Sequence, residues 1–250
     1  MSGHSKWSTI KRQKGVTDAR RGALFTKVAR EISVAARQGG GDPDANYRLR
    51  LAIDKARSVN MPADNIKRTS DKATGGGEVE QFEEIVYEGY GPGGIAVLVE
   101  AQTDNRNRTA AEVRSMFVKS GGQLAGSGAV AWQFEPRGLI SVTRNGIDVD
   151  EVALAAIDAG AEDVDTDDDE MVEIYTSPGD LEAVRKALEA AGVAVASAES
   201  TMIPKQHGDL DSSKARQALR LVELLEDLDD VQRVTANFEI PEDVFAEVAG

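Results

Sequence analysis

Apolar residues recur at helical spacing from residue 18 to about 38 and at two-residue alternation from residue 82 onward, so the change of period divides the chain. In the first stretch Leu24, Phe25, Val28, Ile32, Ala35 and Ala36 share one face of a helix that Thr17 or Asp18 can cap and that Gly39, Gly40 and Gly41 end. Asp42 followed by Pro43 reads as an N-cap and a first-turn proline. They open a second helix with Leu49, Ile53 and Ala56 inward and Arg48, Arg50, Lys55 and Arg57 outward. Met61 and Pro62 interrupt it, and Pro62 starts a short third helix through Ile66 to about Lys72. Thr74, Gly75, Gly76 and Gly77 then read as a hinge.

Strand signals take over beyond the hinge. Residues 82–90 and 95–103 alternate around a Gly-Tyr-Gly-Pro-Gly-Gly turn and predict a hairpin. A helix over 106–119 follows, with Ala110, Val113, Met116 and Phe117 inward, then a glycine-rich loop and a strand over 129–134. That set is an incomplete α+β sandwich. Residues 139–143, a helix over 149–159, a strand near Val164, a strand over 171–176, a helix over 178–191 and a strand over 193–200 spell a complete βαββαβ, ferredoxin-like unit. A helix over 210–228 and a strand over 231–240 supply what the earlier unit lacks. The expected fold class is therefore α+β: a helical domain over 1–76, a discontinuous α/β domain over 77–136 and 203–250, and a third domain over 137–202 inserted into the second, both α/β domains being ferredoxin-like.

Charge sharpens this division. The chain of 250 residues has a net charge of −14, but residues 1–74 carry 16 Lys and Arg against 7 Asp and Glu, and the remainder 13 against 36. A basic segment on an otherwise acidic chain predicts contact with a polyanion, and nucleic acid is the default one. Residues 2–16 lack apolar periodicity and read as an extended basic arm, with His4, Lys6, Lys11, Arg12 and Lys14 around Trp7. An aromatic among cations is the pattern of a side chain that stacks on an unpaired base, and equally of one that folds back on its own domain. On the following helix Arg20, Lys27, Arg30 and Arg37 fall within a sector of roughly 100° away from the apolar face, with Arg21 beside them. Arg106 and Arg108 sit where a strand hands over to a helix. There they either help the first-turn amides hold a phosphate or pair with nearby acids. These thirteen cationic and aromatic positions are the candidate nucleic-acid-binding residues.

Other chemistry is narrow. Without cysteine there is neither a disulfide nor a thiolate site, and only His4 and His207 are available for histidine chemistry. No convergent acid–base pair, cofactor motif or metal-ligand spacing is visible, so the expectation is a protein that is not an enzyme, with no cofactor and no small-molecule substrate. The glycines over 89–94 match a dinucleotide fingerprint in letters alone, because strands are predicted on both sides. Gly121-Gly122-Gln123 resembles the tripeptide of peptide release factors, yet glycine at the end of a helix is a sufficient reason for it. The run EDVDTDDDE over 162–170 lacks the glycine and glutamate positions of an EF-hand and reads as a solvated hairpin tip. No apolar run approaches the roughly 20 residues of a membrane span, so no membrane partner is expected and the cytoplasm is the simplest location.

The blocks SGHSKWSTIKRQKG, DARRGALFTKVAREI, YEGYGPGG, TDNRNRT, and SGG followed by GSGAVAWQF make the whole chain similar to the YebC family. The resemblance implies a helical first domain, two α/β domains, a non-enzymatic role and a cytoplasmic bacterial home. Members have been described as DNA-binding transcriptional regulators. Others have been described as ribosome-associated translation factors that help decode proline runs, with a mitochondrial relative that activates cytochrome oxidase synthesis. By that resemblance Lys6, Trp7, Lys11, Arg12 and Lys14 carry a nucleic-acid surface. The expected function is a regulator of gene expression whose partner is duplex DNA or, alternatively, ribosomal RNA on the ribosome.

Overall fold

The computed structural model describes residues 18–75 and 81–249. The arm, with His4, Lys6, Trp7, Lys11, Arg12 and Lys14, lies outside the described residues, as do the hinge glycines Gly76 and Gly77 and the side chain of Arg20.

Three helices form the basic domain: α1 (Asp18–Gly39), α2 (Tyr47–Ser58) and α3 (Ala63–Thr74). Val28, Ile32, Ala35 and Ala36 of α1 pack on Leu49, Ala52 and Ala56 of α2 and on Ile66 and Ala73 of α3, as the helical period requires. The α1–α2 corner departs from the expectation at Asp42. Asp42 to Ala45 form a turn in which the Asp42 carboxylate accepts from Asp44 N at 2.9 Å, and the helix cap is Asn46. Asn46 wins because it serves both helices. Its Oδ1 accepts from Leu49 N at 3.0 Å, while Nδ2 donates to Ala35 O and Gly40 O, each at 2.8 Å, satisfying carbonyls at the end of α1. Gly39 makes room for it, since a Cβ there would lie 2.6 Å from the Asn46 amide.

The larger sheet comprises β1 (Glu83–Tyr90), β2 (Ala96–Thr103), β3 (Gln123–Leu124) and β8 (Val231–Ala236), in the order β3-β1-β2-β8 with antiparallel neighbours. Alternate β2 residues Ile95, Val97 and Val99 meet Val113 and Phe117 of α4 (Arg106–Lys119) and Leu221 and Leu225 of α7 (Ser212–Glu226) in one core. Between Phe134 and Pro204 the chain builds a second sheet from β4 (Phe134–Thr143), β5 (Asp163–Asp165), β6 (Met171–Thr176) and β7 (Val195–Pro204), crossed by α5 (Val149–Asp158) and α6 (Leu181–Ala190). Its order, β5-β6-β4-β7, is that of a βαββαβ ferredoxin-like unit. Glu135–Ile203 forms one compact unit; the helical domain and the larger sheet belong to the other.

Residues 129–134 are not the expected strand. Ala131–Gln133 is a 3₁₀ turn, and β3 supplies the strand beside β1. The reason is Glu88, 5% exposed, whose carboxylate accepts from Gly128 N at 2.6 Å, Val130 N at 2.7 Å and Ala131 N at 2.8 Å. Those donors are thereby withdrawn from any strand ladder. Strand β8 stops at Ala236, and an unforeseen helix α8 (Glu242–Ala249) follows Pro241.

Candidate nucleic-acid interface

The cation stripe of α1 divides on folding. Arg21 and Arg37 are exposed, whereas Lys27 and Arg30 turn toward the larger α/β domain. Lys27 Nζ donates to Glu226 O, at the end of α7, where a helix presents unpaired carbonyls and partial negative charge. Arg30 Nη1 donates to Asp229 O at 2.6 Å and pairs with Asp230 Oδ1 at 2.9 Å, and its guanidinium carbon lies 5.0 Å from the centre of the Phe82 ring.

Asp230, in the turn between α7 and β8, is 2% exposed and gathers groups from three elements. Arg108 Nη2 reaches it at 2.6 Å, the Thr109 hydroxyl at 2.6 Å and the Thr103 hydroxyl at 3.0 Å. Burial pushes the carboxyl pKa up, but the hydrogen bonds from Thr109, Arg108 and Thr103, with the Arg30 charge, outweigh it and hold it below the usual aspartate value. Arg108, raised by the hydrogen bond to Asp230 and then by that to Asp104 at 2.7 Å, is engaged by two carboxylates. Asn105 caps α4, accepting from Arg108 N at 3.1 Å. Arg106 stays exposed, 3.6 Å from Glu83. At the start of α4 the structure thus shows a helix cap whose arginines face acids.

Glu84 forms a second anchor. Arg48 grips it with both terminal nitrogens, Gln38 Nε2 donates to it at 3.0 Å and Gln102 Nε2 at 3.3 Å. The Arg48 hydrogen bond above all holds the Glu84 carboxyl below its ordinary pKa, against the opposing effect of burial. Sequence reasoning missed both anchors, because Glu84 and Asp230 are distant in the chain from the cations they hold. The signal that was present is the surplus of Lys and Arg in the helices, which calls for acids elsewhere.

The glycine motifs receive structural roles. Gly121 sits at φ +75° after α4, and a Cβ on Gly122 would lie 2.5 Å from Tyr90 O, so both glycines serve the turn into β3. At the acidic hairpin, Asp168 is 4% exposed and its Oδ1 accepts from Glu170 N at 2.7 Å and Met171 N at 3.1 Å, while Arg144 donates to Thr166 O and Asp168 O. None of the helices among the described residues is long and apolar enough to cross a membrane.

A three-helix basic domain anchored on an antiparallel α/β domain, with a ferredoxin-like unit spliced between β3 and α7, defines a three-domain architecture whose cationic part comes first. The chain belongs to the TACO1/YebC family: the family's N-terminal domain matches residues 5–76, and its second and third domain match residues 82–238. A probable transcriptional regulatory protein of Trichlorobacter lovleyi is 56% identical over 243 residues, covering 97% of this chain and 98% of that one. Another protein of that description, from Rubrobacter xylanophilus, is 55% identical over 251 residues and covers both chains fully. A crystal structure of a conserved hypothetical protein from Aquifex aeolicus, 49% identical, superposes with a TM-score of 0.84 over 90% of this chain and 93% of its own.

Proposed function

We propose that this protein is a non-enzymatic regulator of gene expression that binds nucleic acid through its arm and first helix and acts on DNA at the level of transcription, in the cytoplasm. One observation carries the reading: cations are concentrated in residues 1–74, while the remainder holds 36 acids against 13 bases. Such segregation attracts a phosphate backbone to one end of the molecule and repels it from the rest. The description of the relatives as probable transcriptional regulatory proteins supports the choice of DNA. His4, Lys6, Trp7, Lys11, Arg12, Lys14, Arg20, Arg21 and Arg37 are the residues proposed to meet it. Lys27, Arg30 and Arg108 already serve internal acceptors and would contribute by positioning the domain.

The test is crosslinking of the protein to nucleic acid in living cells, followed by sequencing of what is attached. The expected result is DNA concentrated upstream of genes. Ribosomal RNA in its place would overturn the transcriptional reading in favour of a translation factor, and absence of any enriched nucleic acid would overturn binding itself.

A further inference from the structure

Between α1 and α3 the helical domain holds an open groove of about 530 Å³, walled by Phe25 and Met61, with Phe82 and Arg30 at one side and Arg68 and Lys72 at another. The volume lies within the roughly 300–1,000 Å³ of small-molecule sites. Its chemistry is mixed in a particular way, with aromatic and apolar walls below and cations above.

Those cations differ from their neighbours. Lys55 faces Glu31, Arg57 faces Asp54, Lys67 faces Asp71 and Arg48 faces Glu84. Arg68 donates to the neutral amide oxygen of Asn65 at 2.9 Å, and neither Arg68 nor Lys72 forms an ion pair with a carboxylate among the described residues. Both are exposed, and they stand one helical turn apart, a spacing that brings their heads to one place. Arg30, by contrast, is neutralised by Asp230 and lies against Phe82, so it closes the groove as a flat cationic wall.

We propose that this groove takes one unstacked nucleotide of a single strand, its base against Phe25 and Phe82 and its phosphate at Arg68 and Lys72. The proposal rests on the nucleic-acid reading above and adds a second contact, made by residues outside the cation stripe. An aromatic wall recognises the face of a base, and a base inside a duplex has no free face, so the groove selects strands, loops or melted segments over paired DNA. RNA and DNA share this chemistry, since neither the ring face nor the phosphate distinguishes them.

The test uses the full chain and labelled oligo(U), oligo(dT) and duplex DNA, each about ten nucleotides or base pairs long, with affinity read by fluorescence anisotropy across a salt series. Phe82→Leu, which removes the ring and keeps apolar bulk, is expected to weaken strand binding by at least about fivefold and to leave duplex binding within about twofold. The double variant Arg68→Gln, Lys72→Gln is expected to lower the salt slope for strands by about 1.4, from about 0.7 per phosphate contact. Thermal unfolding establishes that each variant is folded, and Phe82→Tyr, which keeps a ring, is expected to bind strands as the parent does. Equal affinity for oligo(U) and oligo(dT) fits base and phosphate recognition alone, and a preference for oligo(U) assigns the strand to RNA. If the parent binds nucleic acid and both variants bind strands equally well, the groove is not the site and the broader reading stands. Equal losses for strand and duplex would overturn the stacking role. A parent that binds none of the three probes would overturn both readings.

Discussion

Asp230 shows how one side chain decides what several others do. Its carboxylate accepts from Arg30, Arg108, Thr103 and Thr109, so its charge is needed in a place from which water is excluded. Asp230→Asn keeps the shape and removes the charge, and the expected loss is about 2–4 kcal/mol of unfolding free energy at neutral pH. The pH dependence has a definite sign. Because the folded pKa lies below the unfolded value of about 3.9, the contribution is complete above that value and is lost as pH falls through the folded one. Chemical denaturation of both proteins should show a constant gap from pH 7 to about pH 5 that closes below about pH 4; a gap unchanged at pH 3 would mean that the charge is not what stabilises. Glu88 follows the same logic, its burial opposed by backbone hydrogen bonds from Gly128, Val130 and Ala131 that leave its pKa lowered. Glu88→Gln, with one acceptor oxygen in place of two, is expected to cost about 1–3 kcal/mol and to speed amide exchange at Gly128, Val130 and Ala131 ahead of the rest of the domain.

At the scale of the element, the α1–α2 corner depends on Asn46, which caps one helix and closes the end of the other. Asn46→Ala removes three hydrogen bonds and should cost about 2–4 kcal/mol, whereas Asn46→Asp keeps the acceptor for Leu49 N, loses the donations to Ala35 O and Gly40 O, and should fall between. Equal stability of the two variants in urea would show that the cap alone matters. The corner also shows what could be read in advance. The span of α1 and its buried face followed from period 3.6, and the hairpin of β1 and β2 from period 2, since both are repeated over many residues. The choice between Asp42 and Asn46 was not legible, because both residues are good caps and the deciding contacts reach back to α1. Strand β3, two residues long, is too short to carry a period and is defined by its pairing of Tyr90 with Gln123 and Gly89 with Leu124. Helix α8 did carry a signal, Pro241 followed by Glu242 and Asp243 in a first turn, and was obscured by the apolar run before it. At the candidate site the cations were legible by type. Their partners were not, because Asp230 and Glu84 become neighbours only on folding.

For the whole molecule, the question is which cations remain for a polyanion once folding has used its share. Lys27 and Arg30 join the helical domain to the end of α7 and the turn beyond it, while the arm residues Lys6, Lys11, Arg12 and Lys14 belong to a segment with no apolar period of its own. Two variants separate these roles. Deletion of residues 2–14 is expected to leave the thermal transition unchanged and to lower the slope of log affinity against log salt on duplex DNA by up to about 3.6, at about 0.9 for each of four phosphate contacts. Lys27→Ala with Arg30→Ala is expected to do the reverse. It should hasten hydrogen exchange in α1 and at the end of α7, where the contacts are lost, and leave the slope within about 0.5 of the parent. A slope that falls by about 1.8 in the double variant, with exchange unaltered, would place Lys27 and Arg30 on the nucleic acid and would require the helical domain to leave Asp230 when it binds. The expected pattern instead makes the folded part a fixed platform, whose internal ion pairs are satisfied before any ligand arrives, and assigns affinity to the arm and the exposed cations beside it.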